Sequence, residues 1–118
     1  MIIMKRIKLF LRPLLFWIQR RFRGWSNDEC WNINSEFLRW LNIRLKQYLK
    51  DADSIVDLDY HKFIYLENEY TQKQLILTLI DNTDWMLKDD VYDWTEEYMQ
   101  KQNETLDIFK LIFNTLWW

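Results

Sequence analysis

Apolar residues recur at helical spacing near the start of the chain. Within the first 22 positions they lie three or four residues apart, at Ile3, Ile7, Phe10, Leu14 and Trp17. Basic side chains occupy another face, so the pattern predicts a basic amphipathic helix over residues 1–22. Pro13 interrupts this pattern. We therefore expect a kink, or a short lead segment followed by a helix with Pro13 in its first turn.

A second helix is predicted over residues 35–50. Gly24 suits the end of the first helix because it adopts a left-handed conformation without strain. Ser26 followed by Glu29 is typical of a capping box. The apolar residues after this turn again have helical spacing, and the face expected to point inward holds Phe37, Leu41, Leu45 and Tyr48 or Leu49.

Two more helices are predicted in the second half of the chain. Thr71 and Gln74 form another capping box, which opens a helix to about Lys88. Its inward face is expected to hold Leu75, Ile76, Leu79, Ile80 and Met86 or Leu87. The pair Asp89-Asp90 favours the start of a last helix, whose apolar face is Val91, Trp94, Tyr98, Thr105, Phe109, Ile112 and Leu116.

Residues 51–70 fit neither pattern well. Four aspartates break helical propensity there, whereas Ile55-Val56 and Phe63-Ile64-Tyr65 favour strands. A long loop, a short strand pair and a helical turn are all consistent with this stretch. The fold class predicted for the whole is all-α, a compact bundle of about four helices with an irregular or short-strand insertion near residues 51–70. One Gly and one Pro in 118 residues favour few tight turns, and the length favours one helical domain over residues 1–118.

Charge is distributed unevenly along the chain. Residues 1–24 contain seven basic side chains and no acidic one, while the rest carries nine basic and 18 acidic side chains. A basic arm on an acidic body predicts attraction within one chain or between copies, or to an anionic membrane surface, nucleic acid or a phosphate-bearing ligand. Lys8 and Arg12 split the apolar run, so residues 2–22 are not expected to span a bilayer, although they could lie on its surface. We also expect a homo-oligomer, because the first and last helices are apolar around much of their circumference.

Residue types that carry catalysis or bind metals are sparse. The chain has one cysteine, Cys30, and one histidine, His61, which argues against a structural zinc site and a Ser-His-Asp triad. The single glycine excludes a phosphate-binding glycine loop. We therefore expect no enzyme activity and no cofactor. The paired carboxylates fall on charged helix faces, where we expect them to be exposed to solvent. A lone cysteine without a secretory pattern favours a reducing cytoplasm.

One stretch concentrates aromatic and basic residues. Trp25 and Trp31 flank the predicted polar turn, with arginines before and after it. Structurally, the two rings could fasten the turn to the core. Functionally, aromatic faces beside guanidinium groups suit a planar anionic ligand such as a nucleotide. The candidate ligand-binding residues are Arg23, Trp25, Asp28, Trp31, Arg39 and Arg44.

The same stretch resembles a family of short, uncharacterised proteins of tailed bacteriophages. Arg23-Gly24-Trp25-Ser26 with Asp28 is similar to the family's Arg-Gly-aromatic-Ser/Asp turn. Trp31-Asn32-Ile33-Asn34 resembles its Trp-x-Leu-Asp element, and Arg44-Leu45-Lys46 its Pro-Arg-Leu-Lys element with Ile43 in place of Pro. Residues 113–117 resemble its closing Asn-x-Leu-Trp. The resemblance implies a phage gene and a helical fold.

These observations favour binding over catalysis. We expect a phage accessory protein in the host cell cytoplasm that counteracts a defence system, either by sequestering a nucleotide immune signal or by blocking a host protein. Sequence-specific nucleic-acid binding is not expected. The alternative is a structural or membrane-surface-associated phage protein that acts through its basic amphipathic N-terminal helix.

Overall fold

The computed structural model describes the backbone of residues 2–117 and the side chains of residues 11–27 and 29–117. The chain is mostly helical across this range. Four α-helices are present there: α1 (Ile2–Arg23), α2 (Ile33–Ala52), α3 (Gln72–Met86) and α4 (Glu96–Ile112). Strands β1 (Lys62–Tyr65) and β2 (Asn68–Thr71) lie between α2 and α3, and short 3-10 helices cover Asn27–Cys30 and Phe113–Thr115. This confirms the predicted helical bundle with a short-strand insertion.

The chain divides into two compact units. The first covers Met1–Glu36 and contains α1, the 3-10 turn and the first turn of α2. The second covers Phe37–Trp118 and contains the rest of α2, both strands, α3 and α4. A single domain over residues 1–118 stays a prediction.

In the first unit, α1 runs without a break through Pro13. The alternative of a lead segment that precedes the helix is therefore wrong. Proline lacks an amide hydrogen, so one intrahelical bond is lost, but the helix continues on either side. Gly24 ends α1 with a φ of 84°, and its amide donates to the carbonyl of Arg20 at 3.0 Å. This is the left-handed C-terminal cap that the sequence predicted.

The core of the second unit is built from α2, α3 and α4. Its buried apolar residues come from the predicted faces of those helices, with Ile108 added: Leu41, Leu45, Leu75, Ile76, Leu79, Ile80, Ile108 and Ile112. Phe37, Tyr48, Leu49 and Phe109 pack against this cluster and are only partly buried. The Thr71–Gln74 capping box is confirmed in both directions, with Gln74 N donating to Thr71 Oγ1 at 3.2 Å and Thr71 N to Gln74 Oε1 at 2.9 Å.

The uncertain stretch forms an antiparallel hairpin. Lys62 pairs with Thr71 and Tyr65 with Asn68, so Leu66 and Glu67 alone make the turn. Both have positive φ, 50° and 68°, as a type I′ turn requires. Neither residue type favours that conformation, which is why no turn signal marks residues 66 and 67 in the sequence.

The last helix begins later than predicted. Residues 87–95 form turns, and α4 starts at Glu96 with Thr95 as its N-cap, whose Oγ1 accepts from Tyr98 N at 3.2 Å. The prediction of a start at Asp89-Asp90 was therefore wrong, and Trp94 is not on the buried face but 70% exposed. A hydroxyl satisfies a free amide of the first turn directly, whereas the two aspartates contribute only their charge.

Candidate functional site

The turn after Gly24 folds back along one face of α1. Gln19 Oε1 accepts from the amide of Asn27 at 2.7 Å, and Arg20 Nη1 donates to Ser26 Oγ at 3.0 Å. The carboxylate of Glu29 accepts from Ser26 N at 2.7 Å, which is the Glu half of the predicted capping box. These bonds join α1 to the turn that follows it.

Arg23 and Trp25 form a tight stacked pair within this turn. The guanidinium carbon of Arg23 lies 3.7 Å from the centroid of the Trp25 ring. Its Nε donates to the Trp25 carbonyl at 3.1 Å, and its Nη2 donates to Asn27 Oδ1. The Arg23 side chain therefore binds two residues of the turn that follows it, and Trp25 remains 46% exposed.

Trp31 lies against α1 on the same face as the turn. Its ring meets Phe16 edge to face, with 5.4 Å between centroids, and the Arg12 guanidinium lies 5.2 Å from its centroid. Trp31 is 57% exposed. Both tryptophans thus contact α1 and its turn while staying accessible, whereas the structural hypothesis was that they fasten the turn to the core.

The other predicted site residues are not brought to this cluster by any described contact. The side chain of Asp28 lies outside the described residues. Arg39 and Arg44 belong to the second unit, on α2, where the Arg44 guanidinium lies 4.9 Å from the Trp40 centroid. Trp40 in turn stacks on Phe37 at 6.2 Å. A single site made of all six residues stays a prediction.

The face of α1 away from the turn is an exposed apolar stripe. Its members are three or four positions apart and between 38% and 83% exposed: Leu11, Leu14, Leu15, Ile18 and Phe22. By contrast Phe16 and Gln19, which contact the turn, are half-buried. The turn therefore covers one face of the helix, and the stripe lies about 115° around the helix from it and is exposed. We call these five residues the apolar stripe.

Charge on α1 has one sign. Arg20, Arg21 and Arg23 occupy its last turn, Arg12 lies near its middle, and its sequence contains no acidic residue. The basic side chains of the last turn also complement the carbonyl end of the helix dipole. Arg21 lies next to the stripe, whereas Arg12, Arg20 and Arg23 lie on the face that contacts the turn.

Sequence reasoning missed Arg12, Phe16 and Gln19 as partners of the turn. These residues are spaced by four and three positions and form a second stripe on α1. That spacing was a usable signal, but the basic residues of this helix were expected to attract the acidic part of the chain, a second copy or an anionic partner rather than the turn that follows. In the described part of the chain no cluster of three or more His, Cys, Asp or Glu residues could hold a metal ion. No helix among those residues has both the length and the apolar character needed to cross a membrane.

Comparison with known proteins gives no relative. No family model, no curated protein and no solved structure matches this chain. The resemblance to short phage proteins therefore stays a prediction.

Proposed function

We propose that this protein is a peripheral binding protein that attaches to an anionic membrane surface through the apolar stripe of α1. The observation that carries the proposal is the stripe itself, five large exposed side chains on one face of a helix that bears only positive charge. Exposed apolar area of this kind marks an interaction surface on soluble proteins. Arg21, which adjoins the stripe, and the absence of any acidic residue from the sequence of α1 favour an anionic occupant.

The magnitudes support attachment at the surface. A helix of 22 residues is about 33 Å long, enough to lie along the interface over several lipid headgroups. Fully burying one large aliphatic side chain contributes roughly 1.5–3 kcal/mol, so five half-exposed ones together contribute several kcal/mol. Arg21, which lies next to the stripe, adds about 1 kcal/mol near an anionic leaflet. The apolar and electrostatic contributions together give a binding free energy only slightly larger than that of a single acyl chain. Membrane binding is therefore expected to be reversible and salt-sensitive.

Vesicle co-sedimentation tests this function. The full-length protein should sediment with phosphatidylserine-containing vesicles and much less with phosphatidylcholine alone. Leu15→Glu and Phe22→Glu place a carboxylate in the stripe and should abolish sedimentation. Leu106→Glu is the matched control, because Leu106 is 43% exposed on α4 in the second unit. Equal sedimentation of wild type and both stripe variants would refute the proposal.

A second candidate function is sequestration of a nucleotide immune signal. It is favoured by Trp25 and Trp31, two accessible rings that each have a guanidinium alongside. Such rings stack on bases, and the arginines would pair with phosphate. Because Arg23 already donates to the Trp25 carbonyl and to Asn27, a phosphate would have to replace those bonds.

Calorimetry distinguishes the second candidate from the first. The protein would be titrated with cyclic nucleotides and ADP-ribose derivatives, alongside a Trp25→Ala variant. Binding heat that disappears in the variant supports sequestration. Absence of heat with every nucleotide at tens of micromolar protein removes it and leaves membrane attachment unaffected.

The biological setting is part of the proposal. The sequence resemblance supports a phage protein that acts on the host's defences, in the host cytoplasm or at the inner face of its membrane. Blocking of a host protein and formation of a homo-oligomer belong to the same set of hypotheses. Light scattering that gives a monomer mass would end the oligomer hypothesis.

A further inference from the structure

A cavity of about 520 Å³ lies in the second unit. Tyr48 of α2, Tyr60 and His61 before β1, Gln72 at the start of α3 and Trp117 contribute to its lining. The volume falls in the range of pockets that bind small molecules, roughly 300–1,000 Å³. No part of the membrane proposal uses these residues.

Gln72 presents a fixed acceptor to this cavity. Its side chain is almost entirely buried, 3% exposed, and its Nε2 donates to the Thr115 carbonyl at 3.0 Å and to Thr115 Oγ1 at 3.3 Å. A carbonyl oxygen only accepts, so the amide orientation is set by Thr115. Among the described residues none donates a hydrogen bond to Gln72 Oε1. No fully buried side-chain nitrogen or oxygen in that part of the chain lacks a hydrogen-bond partner, so Oε1 is not fully buried. Oε1 is therefore open at the cavity surface.

The charge of the lining excludes anions. Among the nine described residues that line the cavity there is neither Lys nor Arg, while Asp57 supplies a carboxylate. Asp57 Oδ1 accepts from Asp59 N at 3.0 Å, which fixes the carboxylate at the cavity edge. A phosphate or carboxylate ligand would meet this carboxylate with no cation to balance it.

The remaining lining is largely aromatic. Tyr60 and His61 meet edge to face at 5.2 Å, and Tyr48 and Trp117 add two more rings. Flat ligands gain stacking and edge contacts from such rings, and a cationic ligand gains further attraction from their faces. The lining thus combines aromatic surfaces with two acceptors, Gln72 Oε1 and the Asp57 carboxylate.

We propose that this cavity binds an amino-substituted aromatic heterocycle of nucleobase size, neutral or singly positive, whose N–H groups donate to Gln72 Oε1 and to Asp57. A carboxylate and an amide oxygen in a lining without Lys or Arg favour ligands that carry hydrogen-bond donors. It also selects against the nucleoside phosphates that the Arg-Trp cluster would take. The two sites therefore differ in the sign of charge that they accept.

Two probes of similar ring size test the proposal on the full-length chain. 2-Aminobenzimidazole carries the required donors and a positive charge when protonated, and indole-2-carboxylate is its anionic counterpart. NMR titration should give saturable shifts of the His61 ring and the Trp117 indole N–H with the first probe, at a Kd of about 1 mM or below, and none with the second. No saturable shift with 2-aminobenzimidazole, or equal shifts with both probes, would overturn it.

Variants locate the binding. Asp57→Asn keeps an oxygen that can accept from Asp59 N. It should weaken the binding of 2-aminobenzimidazole about tenfold, because a charge-assisted hydrogen bond is lost. Trp117→Ala removes an exposed ring, leaves the core intact and should also weaken it. Asp59→Asn, two residues further along and not part of the lining, is the control and should bind as wild type. Equal weakening by Asp59→Asn and Asp57→Asn would show a general charge effect and contradict the site.

Discussion

The ring of Trp31 meets the ring of Phe16 edge to face, with 5.4 Å between their centroids. This contact, with Arg12 at 5.2 Å from the same indole, places the turn on one face of α1. The apolar stripe lies about 115° around the helix from this face and is exposed. The helix α1 therefore has two sets of side chains with helical spacing. One set contacts the turn that follows the helix, and the other, the apolar stripe, is exposed and available to a partner.

Removing the indole should loosen the turn. Trp31→Ala deletes an aromatic pair and a cation–π contact, each contributing about 0.5–1 kcal/mol at exposed positions. Hydrogen exchange of the Glu29 amide, which donates to the Ser26 carbonyl at 3.1 Å, should accelerate about fivefold for a loss of ~1 kcal/mol. Trp94→Ala is the control, since Trp94 stacks only on Tyr92 in the second unit. Unchanged Glu29 exchange in Trp31→Ala would contradict the role given to this ring.

The start of α4 can be tested by removing its cap. Thr95→Ala loses the hydroxyl that accepts from Tyr98 N and should lower the free energy of unfolding by about 1 kcal/mol. Asp90→Ala, at the position where the sequence placed the helix start, should change it by less than about 0.5 kcal/mol. Urea denaturation compares the two. A larger loss in Asp90→Ala than in Thr95→Ala would place the helix start at the earlier position.

The hairpin turn should gain stability from residues suited to positive φ. Leu66→Asn with Glu67→Gly replaces two strained positions by the pair that type I′ turns prefer. Leu66 is 73% exposed, so little burial is lost, and the free energy of unfolding should rise by about 1 kcal/mol. Glu69→Gly, within β2, should instead lower it by roughly 0.5–1 kcal/mol. Destabilisation by the turn variant would show that the two side chains make contacts that outweigh the strain.

Asp84 links stability to pH in the acid range. A hydrogen bond from Lys46 Nζ at 2.8 Å lowers the pKa of Asp84 below its ordinary value of 3.8, burial opposes this, and Asn42 Nδ2 at 2.9 Å adds to the lowering. A carboxyl group whose pKa is lower in the folded state stabilises the fold above its unfolded-state pKa. That stabilisation is lost as the pH falls through the folded-state pKa.

Asp84→Asn tests this linkage. Because the pair is half-exposed, the variant should be less stable at neutral pH by only about 0.5–1 kcal/mol. The difference from wild type should shrink as the pH is lowered below about 4. Asp81→Asn, an exposed neighbour, is the control with little effect. A difference that is constant from neutral to acid pH would show that the carboxylate charge is not responsible.

Much of the fold was predictable because apolar spacing and capping chemistry are local. The Thr71–Gln74 box and the buried face of α3 follow from residues that are neighbours in the sequence. The hairpin was only one of three alternatives because its turn uses Leu66 and Glu67, which are held at positive φ by the pairing of the strands around them. The predicted start of α4 was wrong because Asp89 and Asp90 favour a helix start only through their charge. The helix begins after Thr95, whose hydroxyl accepts a hydrogen bond from a first-turn amide.

The candidate site was predictable in its residue types but not in its arrangement. The sequence singled out Trp25, Trp31 and Arg23, and the structure shows that they share contacts with α1 and its turn. It did not indicate that Arg12 and Phe16 receive Trp31, because contacts between a helix and a returning turn depend on the direction in which the chain reverses at Gly24. The cavity beside Gln72 had no sequence signal, since its lining comes from five separate segments.

Attachment of the apolar stripe to an anionic bilayer is tested most directly by an environment-sensitive fluorophore on α1. In a Cys30→Ser background, single cysteines would be introduced by Leu15→Cys in the stripe and by Pro13→Cys, roughly 160° around the helix. On addition of phosphatidylserine-containing vesicles, the label at position 15 should shift to the blue and be quenched by lipids brominated in the acyl chains, while the label at position 13 should not. Equal responses at the two positions, or none at position 15, would contradict the account.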